Sequence, residues 1–355
     1  MIILQTVSPD YRAKFYAHLY SRLGNNFILY SGDRYFQKAI KSDISIKRIR
    51  VYNFFFLKRK VLFQAGVFWK EVFTKGIIVI ELNPRIISNW AFLILRRFFG
   101  LKTYVWGHVW PRKGPNYYSE NIRFRMQRLA SGTITYTATQ KKELLKKHPK
   151  LKAFTAPNSL FFEKEYMFSK TLPEEIKNII YVGRLTPEKK PFFLLKSIHK
   201  LLLKHDTDIK LIIVGDGPEA NKIKEYILIH HLSDHVFLKG HISNNDELRK
   251  LYKNALFSVS PGYVGLSITQ SFAFGVPMLI SRDENHSPEI EAAKEELNAT
   301  FFETDNGNDL VNKVKEMFLN KNQLIQYRKD ILDYCKNKYS IEKMTMAFTK
   351  LLTKP

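Results

Sequence analysis

Residues 178–190 read N-I-I-Y-V-G-R-L-T-P-E-K-K. Ile179, Ile180, Tyr181 and Val182 form a short, unbroken apolar run that stops at Gly183, the pattern of a strand buried on both faces. The pattern recurs at I-I-V-G-D-G-P-E, residues 212–219, where a second apolar run breaks at Gly215. It recurs again at S-P-G-Y-V-G-L-S-I-T-Q-S-F-A-F-G-V-P, residues 260–277, where an apolar run, a glycine loop and a helical pattern follow in order. Strand, glycine turn and helix in repeated succession imply a parallel sheet with helices on both faces.

Working outward, the same alternation predicts strands over 178–182, 210–214, 236–239, 256–260 and 278–281, with helices over 191–204, 219–229, 246–252 and 267–274. The N-terminal half predicts strands over 2–6, 26–30, 77–82, 103–106 and 133–137. At 355 residues the chain suits two such α/β domains, each doubly wound. Thr155-Ala156-Pro157-Asn158-Ser159 ends regular structure between them. The expected division is 1–160, 161–335 and a terminal segment 336–355, with 161–176 as a linker. Residues 341–352 carry apolar side chains at helical spacing and are expected to pack back on the first domain.

The formal net charge is +24, and it is unevenly spread. Residues 1–160 hold 29 Lys and Arg against 7 Asp and Glu, a balance of +22, which leaves 28 against 26 for the remainder. Such a field draws polyanions: nucleic acid, anionic lipid headgroups or a phosphorylated acceptor. A single cysteine, Cys335, excludes an intrachain disulfide and a cysteine zinc site, and points to a reducing compartment. The first residues read as a strand, not as a signal peptide, and no apolar run reaches the roughly 18 residues of a membrane span. Residues 44–73 interleave Lys47, Arg48, Arg50, Lys58, Arg59 and Lys60 with Phe54, Phe55, Phe56 and Phe63, as segments lying on anionic lipid do. Part of 52–57 reads equally as a buried strand.

Three loops carry the candidate chemistry. After Gly183, Arg184 and Lys189 stand five residues apart and can clamp a diphosphate, although taken alone such cations on a strand-helix loop are more often solvated surface. Gly215 lies in a turn at a strand's carboxyl end, where open α/β sheets bind ligands. The helix expected near Ser267 begins with unpaired backbone N–H groups, a ready anion site.

In combination, GRLTPEKK, IIVGDGPE, VFLKG and SPGYVGLSITQSFAFGVP resemble the retaining glycosyltransferases of family 4, over about residues 178–305. The resemblance implies the GT-B fold, two Rossmann-like domains facing a central cleft. It also implies a nucleotide-diphosphate sugar donor, bound by Arg184, Lys189 and the backbone of Gly265, Leu266, Ser267 and Ile268; the glycine turns at Gly183 and Gly215 are expected to border the same donor pocket. Neither cofactor nor metal is expected. The family places two glutamates eight positions apart around the last loop, where this chain has Gly262 and Gln270. Gln270 still offers an amide to the ribose; Gly262 removes a carboxylate from the sugar, for which His286 and Glu289 are candidate replacements.

In the first half the resemblance rests on Ser8-Pro9-Asp10-Tyr11-Arg12 and Trp106-Gly107-His108. It implies that His108 stands near the reacting carbon, with Tyr11, Arg12, Arg112 and Lys113 toward the acceptor. The expected protein is a cytoplasmic, peripheral membrane transferase on the inner membrane face, acting on a lipid-linked or phosphorylated glycan in capsule or O-antigen synthesis, without nucleic acid. A nucleic-acid-binding protein, a sugar-nucleotide epimerase of the same fold and a noncatalytic family member are the rival readings.

Overall fold

The computed structural model describes residues 1–38, 40–111, 114, 117, 119–168, 176–204 and 208–353. The chain divides into two units, Met1–Phe162 with Tyr339–Pro355, and Glu163–Lys338.

The N-terminal unit contains strands β1 (Ile2–Val7), β2 (Ile28–Gly32), β3 (Ile49–Arg50), β4 (Tyr52–Phe56), β5 (Val61–Ala65), β6 (Ile78–Glu81), β7 (Thr103–Trp106), β8 (Gly132–Thr135) and β9 (Ala153–Thr155). Seven form a parallel sheet in the order β3-β2-β1-β6-β7-β8-β9, and β4 and β5 form an antiparallel hairpin. Successive side chains of a strand point to opposite faces, and the two cores follow that rule. Ile3, Leu29 and Val79 pack with Phe15, Leu19, Trp106 and, from helix Ile341–Thr353, Met344 and Phe348. Ile2, Leu4, Ile78 and Ile80 pack on the other face with Phe68, Phe92 and Met126. Helix Ile341–Thr353 therefore belongs to this unit, joined to it further by the Ile341 N–H on the Phe161 carbonyl at 2.9 Å. Phe161 is buried rather than free in a linker, because it bridges to Ser340.

The C-terminal unit contains β10 (Asn178–Val182), β11 (Lys210–Val214), β12 (Val236–Leu238), β13 (Ala255–Ser260), β14 (Met278–Ser281) and β15 (Ala299–Phe302), all parallel, in the order β12-β11-β10-β13-β14-β15. Helices Pro191–Lys204, Ala220–Ile229 and Gly307–Leu319 cover one face, and Asn245–Lys253 the other.

Both strand orders reverse once, between β1 and β6 and between β10 and β13. In open α/β sheets the loops at the carboxyl ends of two such strands diverge and leave a crevice. Topology alone thus marks the loops after β1, β6, β10 and β13.

Candidate active site

In the C-terminal unit the loops after β10 and β11 are zippered by their own backbones. The Gly183 N–H donates to the Val214 carbonyl at 3.0 Å and the Leu185 N–H to that of Asp216 at 2.9 Å. Gly215 has φ +145°, and a Cβ there would stand 1.9 Å from the Gly183 carbonyl oxygen. The approach of this neighbouring loop requires a glycine here.

The loop after β13 closes on the same segment. The Tyr263 N–H donates to the Glu188 carbonyl at 3.0 Å, and Lys189 Nζ donates back to the Tyr263 carbonyl at 2.6 Å while lying 4.3 Å from the Tyr263 ring centroid. Gly262 is buried in this seam, and a Cβ on it would meet the Glu188 carbonyl oxygen at 2.5 Å. A Cβ on Gly265 would lie 3.8 Å from both Lys189 Nζ and Ser287 Oγ, so these three positions converge. Arg184 is exposed on the rim. Helix Ser267–Ala273 follows, with Leu266 before it and no side-chain cap; Ile268 is buried in the core, leaving only its backbone to face a ligand, and Gln270 is half-buried. Beside Lys189, Lys190 takes a left-handed φ of +53° and pairs with Glu284 and Asp305, each at 2.6 Å.

His286 takes a role different from the expected one. Its Nδ1 accepts from the Val264 N–H at 3.0 Å and its Nε2 donates to the Ser281 carbonyl at 2.9 Å. Both ring nitrogens are occupied, so His286 positions the glycine loop and offers no atom to a sugar. Burial holds its pKa below the ordinary imidazole value, against the opposing pull of the Ser281 carbonyl and Glu284. Glu289 is buried and accepts from the Ser287 hydroxyl.

In the N-terminal unit a cavity of about 220 Å³ opens at the sheet's reversal point, lined by Tyr11, Arg12, Tyr35, Glu81, Asn83, His108, Arg123 and Tyr136 among others. Three expected residues, Tyr11, Arg12 and His108, come together here; Arg112 and Lys113 lie outside the described residues. His108 is exposed, its ring edge-on to Tyr136 at 5.0 Å. Arg123 supports it from below, with Nη1 donating to the carbonyls of Leu82 and His108, both at 2.9 Å.

Glu81, Asn83, Tyr35 and Arg123 are the residues that the sequence reading missed. Glu81 ends β6, and its Oε2 accepts from the Thr6 hydroxyl at 2.7 Å and the Thr6 N–H at 3.2 Å. Its Oε1 accepts from Tyr35 at 3.3 Å and from Asn83 at 3.1 Å. The Glu81 charge, with burial, holds the Tyr35 phenol well above its usual pKa and therefore protonated. A lone carboxylate closing an apolar strand, I-V-I-E at 78–81, was the available signal. Among the described residues no three His, Cys, Asp or Glu side chains gather as metal ligands.

Residues 162–337 match the family model for glycosyl transferases group 1. Poly(ribitol-phosphate) alpha-N-acetylglucosaminyltransferase of Staphylococcus aureus is 24% identical over 221 residues, 62% of this chain and 43% of that protein. An uncharacterized glycosyltransferase of Methanocaldococcus jannaschii is 25% identical over 276 residues, 69% of this chain and 66% of that one. The chain spans from 16% to 66% of the length of the curated relatives it matches. Among solved structures, Anabaena HepE in complex with UDP superposes with a TM-score of 0.72 at 13% identity, covering 99% of each chain. The fold is GT-B, two Rossmann-like domains in one chain.

Proposed function

We propose that the protein is a metal-independent glycosyltransferase that moves a sugar, with retention at the anomeric carbon, from a UDP-sugar to a hydroxyl of a lipid-linked glycan during surface-polysaccharide synthesis. The observation that carries the reading is the convergence of Lys189, Gly265 and Ser287 in the C-terminal unit, with Arg184 on its rim. A departing diphosphate accumulates negative charge, and cations and backbone N–H groups already in place stabilise it without reorganising. Lys189 would exchange the Tyr263 carbonyl for a phosphate oxygen. Gln270 would reach the ribose. The N-terminal cavity would hold the acceptor, with Tyr11 and Arg12 on its wall and His108 toward the reacting carbon. The family match, the polymer-modifying relative and the UDP complex of HepE support this reading over a nucleic-acid-binding protein or an epimerase.

Placement at the inner membrane face is part of the same proposal. The β4–β5 hairpin sends Leu62 and Gln64 inward, fully buried, and Tyr52, Phe54 and Phe56 outward, each more than half exposed. Its turn carries Leu57, 72% exposed, with Lys58 and Lys60 beside it. Rings and an aliphatic tip flanked by cations suit the headgroup region of an anionic bilayer. No helix among the described residues is long and apolar enough to cross a membrane.

Thermal shift with a panel of nucleotide diphosphates tests the donor site, because a ligand bound only by the folded state raises its stability. UDP is expected to stabilise the protein selectively, with the shift at least halved in Arg184→Ala. If no nucleotide stabilises it while short oligonucleotides do, with steep salt dependence, the proposal fails.

A further inference from the structure

Arg12 is 95% buried by its 5% exposure, yet no ion pair involves it among the described residues. Its guanidinium lies 4.5 Å from the Trp106 ring centroid and 5.4 Å from that of Tyr136, and Nη1 reaches only the Met344 thioether, at 3.6 Å. A guanidinium carries five N–H donors, and a sulfur is a weak acceptor for one of them. Withdrawing such a charge from water is costly unless hydrogen bonds or an anion replace the lost solvation.

The same unit shows how a purely structural buried arginine is satisfied. Arg96 is fully buried and donates to the Thr103 hydroxyl and to the carbonyls of Glu71, Val72, Thr74, Gly76 and Lys102. Arg123, in the wall of the cavity itself, donates to two carbonyls. Arg12 has no such set. Glu81, the carboxylate among the described residues lining the cavity, already accepts four hydrogen bonds, all from neutral donors. The described lining thus presents two guanidiniums against one saturated carboxylate.

We propose that this cavity binds an anionic group of the acceptor, a phosphate or a carboxylate, on the Arg12 guanidinium. The inference rests on the transferase reading and names the chemistry its acceptor must carry. Arg presents a planar fork that matches either anion through two parallel hydrogen bonds. Tyr11, Tyr16 and Tyr136 supply aromatic walls for the attached ring. At about 220 Å³ the cavity is smaller than the roughly 300–1,000 Å³ of sites that enclose a whole drug-sized ligand. It is sized for one charged unit of a longer acceptor.

The test is a ligand-observed NMR titration of the full chain with methyl glucoside, glucuronate and glucose 6-phosphate, at constant ionic strength. At least one of the two anionic sugars is expected to bind about tenfold or more tightly than methyl glucoside, the scale of a single charge-assisted hydrogen bond. Which of the two does so separates carboxylate from phosphate. Arg12→Gln is expected to reduce the difference to within about twofold, and Arg12→Lys to keep part of it. Equal binding of all three sugars, binding of none, or a preference that survives in Arg12→Gln overturns the proposal. Should Arg12→Gln not fold, the wild-type comparison and Arg12→Lys still decide. A UDP titration of the same samples reads the C-terminal unit, so failure of the donor site is seen separately.

Discussion

Restoring at position 262 the glutamate that the family pattern carries should damage this protein. The Cβ that any residue other than glycine would bring lies 2.5 Å from the Glu188 carbonyl oxygen and 3.0 Å from the Lys189 carbonyl carbon. Both are backbone atoms, so neither moves without shifting the loop that carries Arg184 and Lys189. Overpacking of this kind costs roughly 1–3 kcal/mol. Parting the loops also loses the hydrogen bond from the Tyr263 N–H to Glu188, worth about 1 kcal/mol net. The sum, about 2–4 kcal/mol, corresponds to a fall of roughly 4–16 °C in the melting temperature of a unit of this size. Gly262→Ala isolates the Cβ from the carboxylate and should already show most of the loss, with Gly262→Glu adding little. Differential scanning calorimetry of the two variants and the wild type, followed by UDP titration of each, measures both effects. An alanine variant as stable as the wild type, or a glutamate variant that binds UDP more tightly, would refute the reasoning.

His286 is neutral in the fold with a pKa below its ordinary 6.5, so protonation favours release of the glycine loop. UDP affinity should be full above about pH 6.5 and fall as pH drops through the lower folded value; a flat profile from pH 5 to 8 would remove His286 from this role. Gly215→Ala, with φ at +145° and a contact of 1.9 Å, should destabilise more than Gly262→Ala, read by the same calorimetry. EDTA should leave UDP binding unchanged, and a loss restored by Mg²⁺ or Mn²⁺ would contradict the metal-independent proposal. Lys58→Gln with Lys60→Gln should lower affinity for phosphatidylserine vesicles by about 2 kcal/mol, near thirtyfold, at roughly 1 kcal/mol per lysine; flotation that is indifferent to both changes would count against the hairpin.

How much of this was legible depended on where each residue gets its partners. Strands β1, β6 to β8, β10, β11, β13 and β14 lie inside their sheets, largely buried, and their apolar runs show in the sequence. Strand β3 is only Ile49–Arg50, with both residues exposed, and an edge of that kind carries no apolar signature. Tyr52–Phe56 looks like a buried strand because four of its five residues are aromatic, yet the hairpin turns Tyr52, Phe54 and Phe56 outward. In the site, Gly215 and His286 were legible as special positions, but not for what they meet. A glycine signals that something approaches closely, and only the fold reveals that the approaching group is the Gly183 carbonyl. The Glu81 cluster was hidden for a different reason: Thr6, Tyr35 and the Glu81–Asn83 pair come from three separate stretches of the chain, and no spacing joins them.

The excess positive charge of the first 160 residues is likewise several charges with different work. Arg96 is consumed by carbonyls, and Arg48 and Arg50 share Asp33. Arg59 donates to the Tyr35 and Phe36 carbonyls and stacks on Phe55 at 3.7 Å, while Arg85 donates to the Arg59 and Lys60 carbonyls and stacks on Phe36 at 3.8 Å. These two arginines staple the hairpin turn down by their hydrogen bonds, so replacing them would alter its shape as well as its charge. Lys58 and Lys60 are the exposed cations of that turn. The attraction of the hairpin itself to lipid therefore rests on Lys58 and Lys60, not on the formal charge of the whole half. Of the two arginines buried among the described residues of this half, Arg96 is satisfied by carbonyls, and Arg12 is the one whose charge neither carbonyl nor carboxylate answers.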